Sequence, residues 1–202
     1  DLHSFPTRRS SDLNLCVYAL FNSTSQYLQS KPVRQALALS VNVSELRKLL
    51  SSETEEMNGP VLNNFLDEKV KPKGYSVKKA KGVLDAAGWK VVGGVRQKDN
   101  QKLTLNIVAP KNENYEKLAK RLAEIWQKEL NIATDVKIVD VNDVSQSILQ
   151  NVLLPRNFDV LIYELAMGGD PDVYAYWHSS QATSGGLNFS NYNNAVADDA
   201  RG

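Results

Sequence analysis

The sequence predicts an α/β fold in which helices flank a β-sheet. Strand and helix patterns alternate between residues 102 and 165, and such alternation is typical of sheets whose strands are joined by crossover connections. Hydrophobic residues make up 42% and charged residues 23% of the 202 residues, which is ordinary for a globular domain. No apolar run approaches the roughly 20 residues that cross a bilayer.

The N-terminal part contains one strand pattern and two helix patterns. Residues 15–21 (LCVYALF) form an apolar run of strand length. Pro32 begins a helical pattern, because proline fits the first helical turn, where its missing donor is not needed. Ser44 is placed to cap a short helix over residues 45–50. Residues 51–67 are polar and contain a Gly-Pro turn signal, so we expect a loop there.

The central part predicts a helix followed by a hairpin. Apolar residues recur at helical spacing after Ser76, and Gly88 fits the position just past a helix end. Residues 89–96 and 102–109 have strand patterns. The turn at residues 98–101 (KDNQ) is expected to join these two strands.

Two more helix patterns and two more strand patterns follow. Asn112 is placed to cap an amphipathic helix over residues 115–130. Residues 135–141 alternate as a strand, and residues 144–153 have a helical pattern. Residues 158–165 (FDVLIYEL) are apolar enough to predict a buried strand.

The first thirteen residues (DLHSFPTRRSSDL) are interpreted as foreign to the protein. They are polar and aperiodic, with two adjacent arginines and no apolar core, so they do not form a signal peptide. The same string resembles the in-frame translation of a sequencing-library adapter. We therefore expect residues 1–13 to be a translated adapter and residues 14–202 to be the native part.

Charge, cysteine content and motifs argue against several classes of function. Lys plus Arg is 24 and Asp plus Glu is 23, so the net charge of +1 offers no basis for nucleic-acid binding. Cys16 is the only cysteine, which excludes an intrachain disulfide and a cysteine-cluster metal site. His178 is the only histidine outside residues 1–13, so a zinc site is not expected. No G-x-S-x-G, phosphate-loop or H-E-x-x-H motif occurs, and we predict neither an enzyme nor a cofactor.

Four groups of short segments occur in a characteristic order along the chain. They are residues 18–22 (YALFN) with 33–38 (VRQALA); 75–80 (YSVKKA) with 84–89 (LDAAGW); 126–132 (WQKELNI) leading into the strand at 135–141; and 158–160 (FDV), 169–172 (GDPD), 177–180 (WHSS), Asn188 and 191–192 (NY). Together they span nearly all of residues 14–201. By these segments the chain resembles the family 5 extracellular solute-binding proteins, the peptide- and nickel-type receptors of ABC importers.

The resemblance implies a periplasmic-binding-protein-like (type II) lobe, with a mixed sheet and flanking helices. It implies that residues 14–202 are an incomplete domain, mainly the second lobe of a two-lobed clamp, truncated at both ends. Such a receptor captures oligopeptides and delivers them to the permease without chemistry on the ligand. The implied location is extracellular or periplasmic, with a membrane anchor, often a lipid on an N-terminal cysteine, in a part that this fragment lacks.

The resemblance also places a ligand-binding strand edge at the end of the last strand. Peptide groups of a buried ligand need hydrogen-bond partners, and an extended peptide obtains them by pairing with such an edge. The alternative for this segment is a loop that enters the turn at Gly168-Gly169. The residues expected to contact ligand are Tyr163, Glu164, Leu165, Ala166, Met167, Asp170 and Trp177.

One position departs from the family pattern. Members that hold the N-terminal ammonium of a peptide carry an aspartate three positions before the acidic-Pro pair, and this chain has Met167 there. Either Glu164 or Asp170 then supplies the charge, or the ligand differs. Glu164 is alternatively a solvated side chain at a strand end, and Asp170 a turn and helix-capping residue. Trp177 is either an aromatic wall of the pocket or a core residue.

Three other functions stay open at this point. Met167 favours a receptor of the same fold for a non-peptide solute, such as a sugar oligomer or a metal chelate. A signalling sensor or chaperone-like module that reuses the fold forms a second class. A hydrolase is the third, although Ser179-Ser180 and His178 are adjacent only in sequence, which does not define a nucleophile and its base.

Overall fold

The computed structural model describes residues 14–50, 54, 56–57, 74–167, 174–183, 185–195 and 198. Seven strands and five α-helices lie in these ranges, and short helical turns of other types occur at Val144–Gln146, Leu149–Leu153 and Ser179–Gln181. In chain order the elements are β1 Asn14–Phe21, α1 Lys31–Leu39, α2 Val43–Arg47, α3 Val77–Ala86, β2 Lys90–Val92, β3 Val95–Lys98, β4 Gln101–Lys102, β5 Thr104–Pro110, α4 Glu113–Leu130, β6 Ala133–Val139, β7 Val160–Met167 and α5 Tyr174–Trp177.

The main sheet is mixed, with strand order β1-β7-β5-β6. Strand β5 is parallel to both β6 and β7, whereas β1 runs antiparallel to β7. The β1–β7 register extends from the pair Asn14–Met167 to the pair Phe21–Val160. Asn22 fastens the end of this ladder, because its side-chain amide donates to the carbonyl of Phe158 at 3.0 Å. The mixed sheet and the crossover between residues 102 and 165 confirm the predicted α/β fold.

One face of the main sheet is covered by helices α1, α3 and α4. The helices contribute the apolar stripes that their sequences predict, and α4 alone buries six residues along this face. The indole of Trp126 in α4 donates to the carbonyl of Leu37 in α1 at 3.3 Å, so the two helices are joined by a hydrogen bond as well as by packing. The sheet residues in this first core are Leu105, Ile107, Ala109, Val160 and Ile162.

The opposite face of the sheet packs on irregular chain instead of on long helices. A second core joins strand residues to the segment before β7 and to the tail after α5. Its buried members are Leu20, Val108, Val139, Val152, Leu153, Phe158, Leu161, Leu165 and Phe189. Because both faces are covered, β5 and β7 are nearly continuous apolar runs, as parallel central strands require.

Strands β2, β3 and β4 form a second, antiparallel sheet, which is separate from the main sheet. The prediction of one strand over residues 89–96 is wrong, because Gly93 and Gly94 form a turn that splits it into a hairpin. Both glycines have positive φ, 59° and 84°, which suits the two-residue turns that match strand twist. The predicted turn at residues 98–101 is confirmed, but it joins β3 to the two-residue β4, and β5 belongs to the main sheet.

Most predicted helix ends are confirmed, and two predictions are corrected. Ser76 accepts a hydrogen bond from the backbone of Lys79 as the cap of α3. Helix α2 is capped by Asn42, whose side chain accepts from the backbone of Glu45, and not by Ser44. Residues 144–153 form a 3-10 turn and a π-helical turn instead of one regular helix. Most of the predicted loop at residues 51–67 lies outside the described residues.

Candidate ligand-binding edge of strand β7

Strand β7 is longer than its parallel neighbour β5. The two strands pair at Ile107–Val160 and Val108–Leu161, which sets Pro110, the last residue of β5, level with Tyr163. Residues 164–167 therefore extend beyond the end of β5, by about 13 Å at 3.3 Å per residue. Within the described part of the chain, no strand pairs with β7 on this side after Leu161.

The other side of β7 is fully occupied. Strand β1 pairs with it along its whole length, including Val17 with Glu164 and Leu15 with Ala166. Within the described residues, the side of β7 that faces away from β1 therefore has no strand partner past the end of β5, and the hydroxyl of Tyr176 donates to the carbonyl of Ala166 at 3.5 Å. This position lies at the carboxyl ends of the parallel strands, where open α/β sheets bind their ligands.

The predicted segment is partly exposed and is not sealed within either core. Tyr163 and Glu164 are half-buried and Ala166 is exposed, whereas Leu165 is buried at 5% exposure. Tyr163 lies on the second-core face, where its ring meets Phe189 edge to face at 5.8 Å between centroids. The alternative of an irregular loop at residues 163–167 is excluded, because all five belong to β7.

Glu164 has a partner that the sequence analysis did not identify. The hydroxyl of Tyr115, in the first turn of α4, donates to the carboxylate of Glu164 at 2.6 Å. Burial, together with this hydrogen bond to a carboxylate, raises the pKa of Tyr115 well above its ordinary value. The two residues are 49 positions apart, and the only sequence signal was the start of an amphipathic helix at Tyr115.

Trp177 has features both of a core residue and of an aromatic wall of the pocket. It is half-buried and packs against the second core. Its ring meets that of Tyr18 in β1 edge to face, with 5.7 Å between centroids. Tyr163 packs against the same cluster, so the structure brings Trp177 and Tyr163 to one face of the sheet. Asp170 and the side chain of Met167 lie outside the described residues.

Beside this face lie the only cysteine and the only histidine of residues 14–202. Cys16 is 6% exposed, and burial raises the pKa of its thiol. The ring of His178 stacks on Tyr174 at 4.2 Å and its Nδ1 lies 2.9 Å from the hydroxyl of Ser180. Among the described residues, no group of three or more His, Cys, Asp or Glu side chains is arranged to hold a metal ion.

The mixed sheet with its flanking helices defines a fold of the solute-binding-protein type. Residues 4–187 match the family of bacterial extracellular solute-binding proteins, family 5 (its middle part), and the chain therefore belongs to this family. Within the described ranges, no helix has both the length and the apolar character needed to cross a membrane.

Particular relatives are similar over nearly the whole chain. The oligopeptide-binding protein AppA of Bacillus subtilis is 31% identical over 192 residues, which cover 90% of this chain and 34% of AppA. The structure of AppA in complex with a nonapeptide aligns with a TM-score of 0.79 and 27% identity, over 95% of this chain and 40% of AppA. The structure of NikZ from Campylobacter jejuni in complex with Ni(L-His) aligns with a TM-score of 0.78 and 24% identity, over 95% of this chain and 40% of NikZ. The chain thus spans between a third and two fifths of the length of these relatives.

Proposed function

We propose that this chain is the second lobe of a receptor that captures oligopeptides outside the membrane and hands them to an ABC permease. The observation that carries the proposal is the edge of β7 over residues 164–167, beside the first turn of α4, which pairs with no strand of the described chain on the side away from β1. The full-length receptor closes a first lobe over this edge, holds its ligand without chemistry, and is tethered to the membrane. AppA, 31% identical to the chain, is named for oligopeptide binding.

Backbone pairing explains why an extended peptide suits this edge. A peptide enclosed between two lobes loses water from its N–H and C=O groups, and each group left unpaired costs about 1–3 kcal/mol. A strand edge satisfies alternate groups of the peptide without regard to its side chains. The segment Tyr163–Met167 supplies this edge, Trp177 a nearby aromatic surface, and Asp170 a charge just past the strand.

An N-methyl scan of a bound peptide tests the pairing. The full-length receptor is titrated calorimetrically with a short alanine–serine nonapeptide and with variants that carry one N-methylated peptide bond each. Affinity is expected to fall about five- to 150-fold at every second position in the paired stretch, since each methyl group removes one N–H donor and leaves a buried acceptor unpaired, at about 1–3 kcal/mol. Equal losses at all positions, or none, would refute pairing with β7.

A non-peptide solute is the second candidate function. Met167 occupies the position where the family pattern has an aspartate for a peptide ammonium, and the structurally similar NikZ was solved with Ni(L-His). The same calorimeter therefore receives nickel–histidine and cello-oligosaccharides beside the peptides. Heat from one of these solutes, with none from any peptide, would replace the oligopeptide proposal by this one.

A further inference from the structure

Glu164 is the one ionisable carboxylate on the open stretch of β7, and its surroundings within the described residues hold no cation for it. Among the described residues no ion pair includes Glu164, and its hydrogen-bond donor is the neutral hydroxyl of Tyr115. On β1 it faces Val17, an apolar residue that offers neither charge nor hydrogen bond. A half-buried carboxylate in such surroundings has lost water without gaining a counter-charge.

The cations near the first turn of α4 are engaged elsewhere. Lys117 pairs with Glu113 at 2.6 Å, and Lys120 lies 3.4 Å from Glu116, both along the helix surface. Lys111, which follows β5, pairs with Asp140 at 2.7 Å. In the part of the chain that the structure describes, no positive group is thus paired with Glu164.

Strand geometry places a ligand side chain beside Glu164. Val160 and Ile162 lie in the first core beneath the helices, and Glu164 continues this row towards α4, where it meets Tyr115. A peptide that pairs with β7 puts alternate side chains on that same face. The ligand residue directly opposite Glu164 has its Cβ about 4.5–5.5 Å from that of Glu164.

We propose that Glu164 selects a lysine or arginine at this one position of the peptide, an inference that rests on the proposed oligopeptide function. The hydrogen bond from Tyr115 holds the carboxylate in one orientation, so less side-chain freedom is lost when a cation binds. The terminal ammonium of the peptide is not the cation selected. Strand positions 164 and 167 are about 10 Å apart and lie on opposite faces, so a carboxylate at 164 does not replace one at 167.

The test places a lysine at each position of the peptide in turn. Alanine–serine nonapeptides carrying lysine at one position, and matched peptides carrying neutral norleucine there, are titrated into the full-length receptor. At one position, lysine is expected to bind about five- to tenfold more tightly than norleucine. The substitution Glu164→Gln should bring this ratio below about twofold. As a control, Glu113→Gln in the exposed first turn of α4 should leave the ratio intact.

Two further results separate selection from folding and from function. Adding salt should lower the lysine-to-norleucine ratio of the wild-type receptor, a readout that needs no variant to fold. Peptides that bind with no lysine preference at any position, or a preference that survives Glu164→Gln, would overturn the selection and leave the oligopeptide function standing. A receptor that binds none of the peptides would refute both.

Discussion

Replacing Arg96 by methionine removes a buried guanidinium that joins three elements. Arg96 lies in β3 at 2% exposure. Its Nε donates to the carbonyl of Leu130, at the end of α4, at 2.8 Å. Its Nη1 donates to the carbonyl of Trp89 at 2.6 Å and to the carboxylate of Asp85, near the end of α3, at 2.7 Å. The guanidinium thus connects the small sheet to the C-terminal ends of two helices.

The expected loss of stability follows from these partners. Methionine fills much of the volume of the arginine stem but leaves the carbonyls of Leu130 and Trp89 without a donor, at about 1–3 kcal/mol each. The carboxylate of Asp85 is half exposed, so water replaces the lost ion pair and this part contributes under about 1 kcal/mol. The free energy of unfolding should therefore fall by roughly 2–7 kcal/mol.

Urea unfolding followed by tryptophan fluorescence measures this loss. The matched control is Asp85→Asn, which removes the ion pair and keeps the guanidinium with both carbonyls; it should cost under about 1 kcal/mol. A loss below 1 kcal/mol for Arg96→Met would contradict the account. So would an Asp85→Asn variant as unstable as Arg96→Met, because the exposed ion pair would then carry the stability.

The remaining predictions concern a helix end and two groups of the candidate site. Gly88→Ala should lower the free energy of unfolding by about 1–2 kcal/mol, because Gly88 has φ +87°. Gly82 lies inside α3 with open space around it, so Gly82→Ala should raise the free energy of unfolding by about 0.5–1 kcal/mol. The pKa of Tyr115 is raised in the folded state, so this tyrosine ionises at lower pH in the unfolded chain than in the folded one. The free energy of unfolding should therefore decline as pH rises above about 10. Denaturation curves recorded at several pH values should show a smaller decline for Tyr115→Phe. The thiol of Cys16, buried and with a raised pKa, should react with a thiol reagent at pH 8 at least about tenfold more slowly than in denaturant. Equal rates would show that Cys16 is not buried in the folded protein.

The elements with strong local signals were predicted closely. Helix α4 carries an apolar stripe over five turns and a capping asparagine, so residues close together in the sequence predict both its helical period and its first residue. The hairpin at Gly93-Gly94 was missed because three-residue strands show too few alternations to be separated from one longer strand. The segment at residues 144–153 has helical spacing, yet it forms short irregular turns that bury Val152 and Leu153 in the second core, where packing overrides local propensity.

The candidate site was likewise predicted only in part from the sequence. The family segments led to the stretch Tyr163–Met167, and the apolar run before it predicted a strand. No pattern along the chain reveals that β5 ends four residues earlier than β7, because this offset depends on how two distant strands are paired.

By itself, the sequence determined the α/β class, the family and the position of the last strand, since periodicity and short signatures depend on neighbouring residues. Only the tertiary structure decided that one edge of β7 is paired with β1 along its length, whereas the other edge has no strand partner after Leu161 in the described part of the chain. It also decided that Glu164 meets Tyr115 across 49 positions. Such contacts are set by strand pairing and by how a helix lies on a sheet, and both arise from burial summed over the whole core.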